Sequence, residues 1–185
     1  MTTIAGYTDG KRVTLAADSR LSAESRRKAS IKKIFRIRNM IIGGAGDTMD
    51  MQVLDAFLNP RKMEDGEDAY HYIVKEVAPS IRDILNTHGR QAKASAGELY
   101  MQSHLLIGMG SRLFNMGFYF SVQECHRGYD AIGSGGDYAV GALYHQLKQD
   151  KPSGKKTIKT MLRHALDAAC EWDLYSGGDY QFETT

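Results

Sequence analysis

The order in which strand-like and helix-like segments follow one another constrains the fold of this chain more than any single motif. Two strands are predicted first, at Thr2–Thr8 and Arg12–Ala17, and the Asp9-Gly10 pair between them is favoured in tight hairpin turns. A second hairpin is predicted from Ile34–Ile37 and Met40–Gly44. Since short turns join antiparallel neighbours, the chain opens with antiparallel pairs.

Helices are predicted after these hairpins, where apolar residues recur with the 3.6-residue period. The first two helices are predicted at Asp47–Leu58 and Glu67–His88. Within the second, Pro79 is expected to kink the helix because it lacks an N–H group, and Gly89 is expected to cap its end. The polar stretch Arg90–Gly97 is predicted to be a loop.

The second half of the chain repeats this order of strands followed by helices. Strands are predicted at His104–Gly108, Leu113–Val122 and Ala131–Ile132, and helices at Tyr138–Lys148 and Thr157–Glu171, before a short extended tail. Helices that are segregated from antiparallel strands indicate an α+β fold. Two packed sheets with a helical layer on each side would bury every apolar face. We therefore predict a four-layer αββα sandwich.

The composition is typical of one globular domain, predicted to span residues 1–185. A net charge of +2 and an apolar content of 42% give no general attraction to nucleic acid or membranes. The segment Arg20–Arg38 is basic, but its single aromatic residue, Phe35, favours a solvated face over a nucleic-acid patch. Two cysteines, no long apolar run and no leader-like start predict a cytoplasmic chain.

The start of the chain offers a candidate nucleophile. Removal of Met1 would leave Thr2 with a side-chain hydroxyl and a free α-amine on one residue. A threonine hydroxyl is a weak nucleophile at neutral pH, whereas an α-amine titrates at roughly 7.7–8 and can accept the hydroxyl proton, directly or through water. This pairing is an alternative to the Ser-His arrangement. Many unrelated chains begin with Met-Thr, so the rest of the sequence must support the interpretation.

Further short motifs give that support. In chain order, the motifs are Thr2-Thr3-Ile4, Ala16-Ala17-Asp18, Lys32-Lys33-Ile34, Gly43-Gly44-Ala45-Gly46-Asp47-Thr48, Ile132-Gly133-Ser134-Gly135-Gly136 and Asp173-Leu174-Tyr175-Ser176-Gly177-Gly178. Each motif alone is common. Together, in this order, they resemble the N-terminal-threonine hydrolases of the proteasome β-subunit type, and in particular bacterial members such as HslV. The last motif is more similar to the proteasome β-subunit than to HslV.

The resemblance implies a role for each matching residue. Thr2 would be the nucleophile, and an ammonium beside it would favour the developing alkoxide and lower the pKa of the amine. Lys33 is preferred for this ammonium over Lys32, because Ile34 then matches the apolar residue that follows it in the family. Asp18 would pair with this lysine. The N–H of Gly46 would bind the tetrahedral oxyanion.

Two further groups follow from the same resemblance. Ser134, Asp173 and Ser176 would surround and position the Thr2 amine. No cofactor is required for the chemistry, although backbone carbonyls of Cys170, Asp173 and Ser176 match positions that bind a monovalent cation, Na⁺ here. Gly44 matches the floor of the pocket for the residue before the cut bond. A glycine would leave this pocket deep, which predicts a preference for bulky apolar residues.

The predicted function is therefore that of a threonine endopeptidase acting on unfolded polypeptide. The resemblance implies a homo-oligomeric ring or double ring and a separate AAA+ unfoldase ATPase, since the chain has no nucleotide-binding motif of its own. Nucleic-acid and membrane partners are not expected. Two alternatives stay open: a small-molecule amidase of the wider N-terminal-nucleophile group, and a catalytically silent subunit retained for ring assembly.

Overall fold

The computed structural model describes residues 2–21, 29–93, 97–149 and 154–185. The strands are β1 (Thr3–Thr8), β2 (Val13–Asp18), β3 (Arg20–Leu21), β4 (Ala29–Ser30), β5 (Ile34–Ile37), β6 (Met40–Gly46), β7 (Gln91–Lys93), β8 (Leu99–Met101), β9 (Ser103–Met109), β10 (Arg112–Met116), β11 (Val122–Glu124), β12 (Tyr129–Gly133) and β13 (Tyr180–Thr184). The helices are α1 (Thr48–Phe57), α2 (Ala69–Tyr72), α3 (Ala78–Thr87), α4 (Gly136–Gln149) and α5 (Gly154–Trp172), with a π-helical segment, Ile73–Val77, between α2 and α3.

Two antiparallel sheets form the centre of the molecule. The first has the strand order β12-β1-β2-β13 and the second the order β11-β10-β9-β6-β5. Two short ribbons, β3-β4 and β7-β8, lie outside them. The strands predicted at the two N-terminal hairpins are present, with Ile4 opposite Ala17 in the first sheet and Ile34 opposite Gly43 in the second.

Three apolar clusters separate four layers. One lies between the sheets and includes Ile4, Leu15 and Leu106. A second joins the first sheet to α4 and α5, and a third joins the second sheet to the helices between Thr48 and Thr87. Burial of apolar surface in these clusters supplies the main driving force for folding. The α+β fold with αββα layering is confirmed.

The long helix differs from a regular α-helix just before Pro79. The segment Ile73–Val77 is π-helical, and the N–H of Ala78 donates to the carbonyl of Ile73, five residues earlier. Pro79 then lies in the first turn of α3, directly after this π-helical segment. The helix ends after Thr87, and Gly89 caps it as expected, with a φ of 64°. The N–H of Arg90 donates a hydrogen bond to the carbonyl of Leu85.

Two sequence predictions were wrong in detail, and a third segment forms a pairing that was not predicted. Leu113–Val122 is not one strand, because the chain turns between β10 and β11, where Phe120 has a φ of 62°. Part of Arg90–Gly97, predicted as a loop, is strand β7, which pairs with β8. The extended C-terminal tail joins the first sheet as β13, with Phe182 opposite Ala16. These pairings depend on contacts between distant segments, which local patterns do not record.

None of the helices in the described part of the chain has the length and apolar character needed to cross a membrane.

Candidate active site

The candidate site lies at the edge where several strand ends meet. Thr2 directly precedes β1, whose first residue is opposite Gly133 at the end of β12, and Asp18 ends β2. In the second sheet, Lys33 directly precedes β5 and Gly46 ends β6. Because neighbouring strands are antiparallel, beginnings and ends alternate along this edge. The topology thereby gathers residues that are far apart in the sequence.

A small cleft opens at this edge. Its lining includes Thr2, Lys33, Gly44 and Gly46, which are four of the residues predicted from the sequence. Thr2 is 6% exposed. The structure therefore brings the candidate nucleophile, lysine, oxyanion glycine and pocket glycine to one small concave surface.

Asp18 is the buried anchor of the site. Its side chain has no exposed surface, and its Oδ1 accepts hydrogen bonds from the Lys33 ammonium at 2.9 Å and from the Thr3 N–H at 2.8 Å. Its Oδ2 accepts from the N–H groups of Gly177 at 3.0 Å and Arg20 at 3.2 Å. A buried carboxylate is stable only when it is paired and hydrogen-bonded, as this one is.

The structure distinguishes between the two neighbouring lysines. Lys33 is 5% exposed and points to Asp18, whereas the Lys32 side chain is 62% exposed and its ammonium lies 3.9 Å from Asp55. Neighbouring side chains in extended chain face opposite sides, so only one of the two can reach Asp18. Burial lowers the pKa of Lys33, and the Asp18 carboxylate opposes this shift. The charge of the pair is thus compensated within the fold.

Gly46 has a backbone conformation that excludes other residues. Its φ is 143°, and a Cβ placed on it would lie 2.3 Å from the carbonyl oxygen of Gln102 and 2.6 Å from the Cα of Ser103. Both contacts are with backbone, which cannot move aside as a side chain can. Close packing against β9 therefore requires glycine at this position.

A buried polar network, not predicted from the sequence, holds the turn after Gly46. Asp50 is fully buried; its carboxylate accepts from Ser103 Oγ at 2.9 Å and from Arg90 Nε at 3.1 Å. Ser103 Oγ accepts the Asp47 N–H at 3.1 Å, and the Arg90 guanidinium lies 2.6 Å from the Asp47 carboxylate. Burial raises the pKa of Asp50, against the effect of its hydrogen bonds with Ser103 and Arg90. Forty residues separate Asp50 from Arg90, so no local motif marks the network.

Ser134, Asp173 and Ser176 form a second network. Asp173 Oδ2 accepts from Ser134 Oγ at 2.7 Å and from Ser176 Oγ at 2.6 Å. Ser176 Oγ also lies 2.6 Å from Oγ1 of Thr3, a fully buried residue whose side chain was not predicted to take part in the site. Burial acts to raise the pKa of Asp173, but the hydrogen bonds from Ser176, Ser134 and the Tyr175 N–H act together against it, and the pKa is lowered. The network therefore reaches the chain directly after Thr2.

Gly133 allows the Thr2 backbone to approach β12 closely. Its φ is 94°, and a Cβ on it would lie 1.8 Å from the Thr2 carbonyl oxygen. Any side chain at this position would displace Thr2. This glycine fixes the position of the residue before β1.

The pocket at Gly44 is partly filled. A Cβ on Gly44 would lie 1.7 Å from the sulfur of Met51, so the thioether of α1 packs directly on the glycine. Met51 also lines the cleft. A methionine is flexible, so the floor of this pocket can adapt, but the space is less deep than a glycine alone implies.

Among the described residues, no group of three or more His, Cys, Asp or Glu side chains converges in a way that could hold a metal ion. The predicted Na⁺ site would use backbone carbonyls instead. Cys170 lies in the last turn of α5, where carbonyls have no partner within the helix. The Asp173 carbonyl accepts the Ser176 N–H at 3.2 Å and retains a second lone pair. The carbonyl chemistry at these two positions therefore fits a hard monovalent cation, and the site stays a prediction.

Comparisons with known proteins agree with this architecture. The family model described as Proteasome subunit matches residues 1–185. BPH from Thiobacillus denitrificans, solved in complex with epoxomicin, is similar with a TM-score of 0.79 and 22% identity over 100% of this chain and 98% of that chain. Eukaryotic HslV from Trypanosoma brucei has a TM-score of 0.66 and 23% identity over 99% of this chain and 98% of that chain.

Anbu from Yersinia bercovieri, described as an ancestral beta-subunit, has a TM-score of 0.73 and 16% identity over 99% of this chain and 81% of that chain. None of the curated protein sequences matches this chain. At these low identities the solved structures show a shared fold, whereas the family model covers the whole sequence. The chain belongs to the proteasome subunit family.

Proposed function

We propose that this protein is a threonine peptidase that hydrolyses peptide bonds of unfolded polypeptides, with Thr2 as its N-terminal nucleophile after removal of Met1. The observation that carries the proposal is the position of Thr2 in one cleft with Gly46 and with a lysine that buried Asp18 holds in place. A threonine without a chemical role would have no need of a buried ion pair such as Lys33–Asp18 beside it. Such pairs cost desolvation energy and are weak as stabilising elements, which favours a chemical role.

The chemistry begins with attack of Thr2 Oγ on the substrate carbonyl carbon. The hydroxyl proton passes to the α-amine, directly or through water, and the carbonyl oxygen becomes the oxyanion. The Gly46 N–H stabilises that oxyanion, a contribution of about 3–4 kcal/mol for one such donor. The ammonium of Lys33 favours the developing alkoxide and keeps the neighbouring amine deprotonated by repulsion.

The second half of the reaction releases the product. The tetrahedral intermediate collapses, the protonated α-amine gives its proton to the leaving amine, and an ester remains on Thr2. Water then attacks the ester with the same amine as base. The Asp173 network, which extends through Ser176 to Thr3, positions the amine for both steps.

The pocket beside Gly44 suggests the residue before the cut bond. The Met51 thioether forms its floor with Gly44, and both surfaces are apolar. A flexible apolar floor favours bulky apolar side chains of the size of leucine or methionine. A peptide-library profile dominated by small or acidic residues at this position would contradict that preference.

The family membership supports a larger assembly as part of the proposal. The active form would be a cytoplasmic ring or double ring of identical subunits, in which head-to-tail contacts close. A separate AAA+ ATPase would unfold and deliver the polypeptide. Na⁺ on the carbonyls of Cys170, Asp173 and Ser176 would rigidify the loop after α5, and no cofactor would take part in the chemistry.

The proposal is tested by hydrolysis of fluorogenic peptides and of unfolded casein. Thr2→Ala should abolish both activities, Thr2→Ser should retain part of them, and Thr157→Ala, an exposed threonine on α5, serves as the matched control. Since a structurally similar protein was solved in complex with epoxomicin, we expect this compound to inhibit the wild-type chain.

Three outcomes would contradict the proposal. Undiminished hydrolysis by the Thr2→Ala variant would show that Thr2 is not the nucleophile. Hydrolysis of small amides without any cleavage of peptides would instead identify an amidase. An intact ring that cleaves neither substrate class, with Met1 removed, would identify an assembly subunit.

A further inference from the structure

The charged groups that line the cleft are mostly basic. Arg20, Lys32 and Lys33 contribute cations to its lining, and Asp47 contributes the one carboxylate among the described lining residues. A concave surface of one sign attracts ligands of the opposite sign, because its low-dielectric walls focus the field.

Two of the four charges are neutralised within the protein. Lys33 is paired with Asp18 at 2.9 Å, and Asp47 is paired with Arg90 at 2.6 Å. The Lys33–Asp18 pair has one cation and one anion, and Asp47 shares Arg90 with the buried Asp50 side chain, so neither group adds positive charge to the cleft. The remaining charge is that of Arg20 and Lys32.

Arg20 is a cation held in a fixed position. Its Nη1 donates to the carbonyl of Leu174 at 3.1 Å, and its guanidinium packs against the Cα of Gly177, where a Cβ would lie 2.7 Å from Cζ. Within the described ranges no carboxylate lies at salt-bridge distance from this side chain. A guanidinium that is already ordered loses little entropy when it binds a carboxylate, and it can do so through two parallel hydrogen bonds.

Lys32 adds a second accessible cation on the same rim. Its side chain is 62% exposed, and the Asp55 carboxylate, which is 47% exposed, lies 3.9 Å from its ammonium. An exposed pair at this distance is weak and is easily exchanged for another carboxylate. Arg20 and Lys32 therefore leave a positive rim around a cleft whose floor, at Gly44 and Met51, is apolar.

We infer that the cleft selects polypeptide segments in which an apolar residue at the cut bond is flanked by acidic side chains, which the Arg20 guanidinium and the Lys32 ammonium bind. The inference rests on the proposed peptidase function and adds the substrate class to it. The apolar residue enters the pocket, and the flanking carboxylates meet the rim. The two cations act on binding and not on the reacting bond, so the selection appears in KM and leaves kcat unchanged.

The test uses three internally quenched peptides with the same leucine before the cut bond and with Glu, Gln or Lys at the flanking positions. For the wild-type chain at low salt, we expect a KM for the Glu peptide about five- to tenfold below that for the Gln peptide, and the highest KM for the Lys peptide. At 0.5 M NaCl the difference should shrink, because salt screens exposed charges.

Variants locate the source of the preference. Arg20→Gln and Lys32→Gln should each reduce the KM preference for the Glu peptide over the Gln peptide, and the double variant should remove this preference. Arg20→Lys should retain most of it. Lys62→Gln, an exposed lysine that lines a separate pocket with Arg38 and Asn39, is the matched control and should leave it unchanged. Equal KM values for the Glu and Gln peptides, or a preference that survives the double variant, would overturn the inference.

The same peptides separate this inference from the proposed function. If the wild-type chain cleaves none of them, the peptidase proposal fails. Binding of fluorescently labelled peptides to the Thr2→Ala variant, followed by anisotropy, then reports the charge preference without any cleavage. Tighter binding of the Glu peptide would support the inference on its own, and equal binding of the Glu and Gln peptides would contradict it.

Discussion

Replacement of Gly46 by alanine tests the geometry of the proposed oxyanion site. The new Cβ would lie 2.3 Å from the Gln102 carbonyl oxygen, whereas an ordinary carbon–oxygen contact is about 3.3 Å. Relief of this overlap needs a backbone shift of roughly 1 Å, and a misplacement of that size can lower a rate by about 100-fold. The φ of 143° adds strain of about 1–3 kcal/mol for any residue with a Cβ.

We therefore expect Gly46→Ala to lower kcat by about 100- to 1,000-fold, the usual cost of one lost oxyanion donor. The free energy of unfolding should fall by about 1–3 kcal/mol, measured by urea denaturation. Peptide hydrolysis is measured at urea concentrations well below the denaturation midpoint, so that a lower kcat cannot come from unfolding of the variant. A folded Gly46→Ala variant with kcat within twofold of wild type would refute the reasoning.

Gly44→Ala is the matched control, because its Cβ meets a side chain and not the backbone. The overlapping atom is the Met51 sulfur, 1.7 Å away, near the end of a flexible chain. Displacement of Met51 should change KM and the preference at the cut bond while kcat stays within a few-fold of wild type. The double variant Gly44→Ala/Met51→Ala should relieve the overlap. A large loss of kcat in Gly44→Ala would remove the distinction between the two glycines.

Three further predictions concern the buried charges of the site. Lys33→Met leaves the Asp18 carboxylate without its cation, so the free energy of unfolding should fall by about 3–5 kcal/mol and hydrolysis should fall at least 100-fold; a variant as stable as wild type in urea would be inconsistent with this. Asp50→Asn loosens the turn after Gly46, so kcat should fall about tenfold at unchanged KM and the free energy of unfolding should fall by about 1–3 kcal/mol. The control Asp83→Asn, at an exposed carboxylate, should change neither quantity. Equal kinetics for the two variants would argue against a positioning role for Asp50. Because the pKa of Asp173 is lower in the folded state than its unfolded value of about 3.9, the ionised carboxylate stabilises the fold at pH values above about 3.9, and this contribution is lost as pH falls through the folded pKa. The difference in thermal stability between wild type and Asp173→Asn should therefore shrink below about pH 4. A difference that does not change with pH would contradict the lowered pKa.

The hairpins and the αββα layering could be predicted from the sequence because each depends on a local pattern. Asp9-Gly10 marks a turn between two apolar runs, and the structure has that hairpin. The alternation of side chains along extended chain also explains why one lysine of the doublet reaches Asp18 and the other does not. Local signals of this kind do not depend on distant parts of the chain.

Other features depend on contacts between distant segments and could not be predicted in this way. The Asp50–Arg90 pair joins α1 to the chain after α3, and neither residue belongs to a recognisable motif. The Met51 side chain fills the space that Gly44 leaves, which requires knowledge of how α1 lies on β6. Thr3 donates its N–H to Asp18 and shares a hydrogen bond between its hydroxyl and that of Ser176. This role depends on the packing of β2 beside the loop after α5, which no local pattern records.

The intact mass of the purified chain, measured on the same preparation as peptide hydrolysis, tests the central claim most directly. The proposed mechanism needs a free amine on Thr2, so it predicts a mass that lacks Met1 and an activity proportional to the processed fraction. A preparation that retains Met1 on every chain should be inactive. Full activity from chains that all retain Met1 would contradict the mechanism, because the Thr2 nitrogen would then be an amide and could not act as the base.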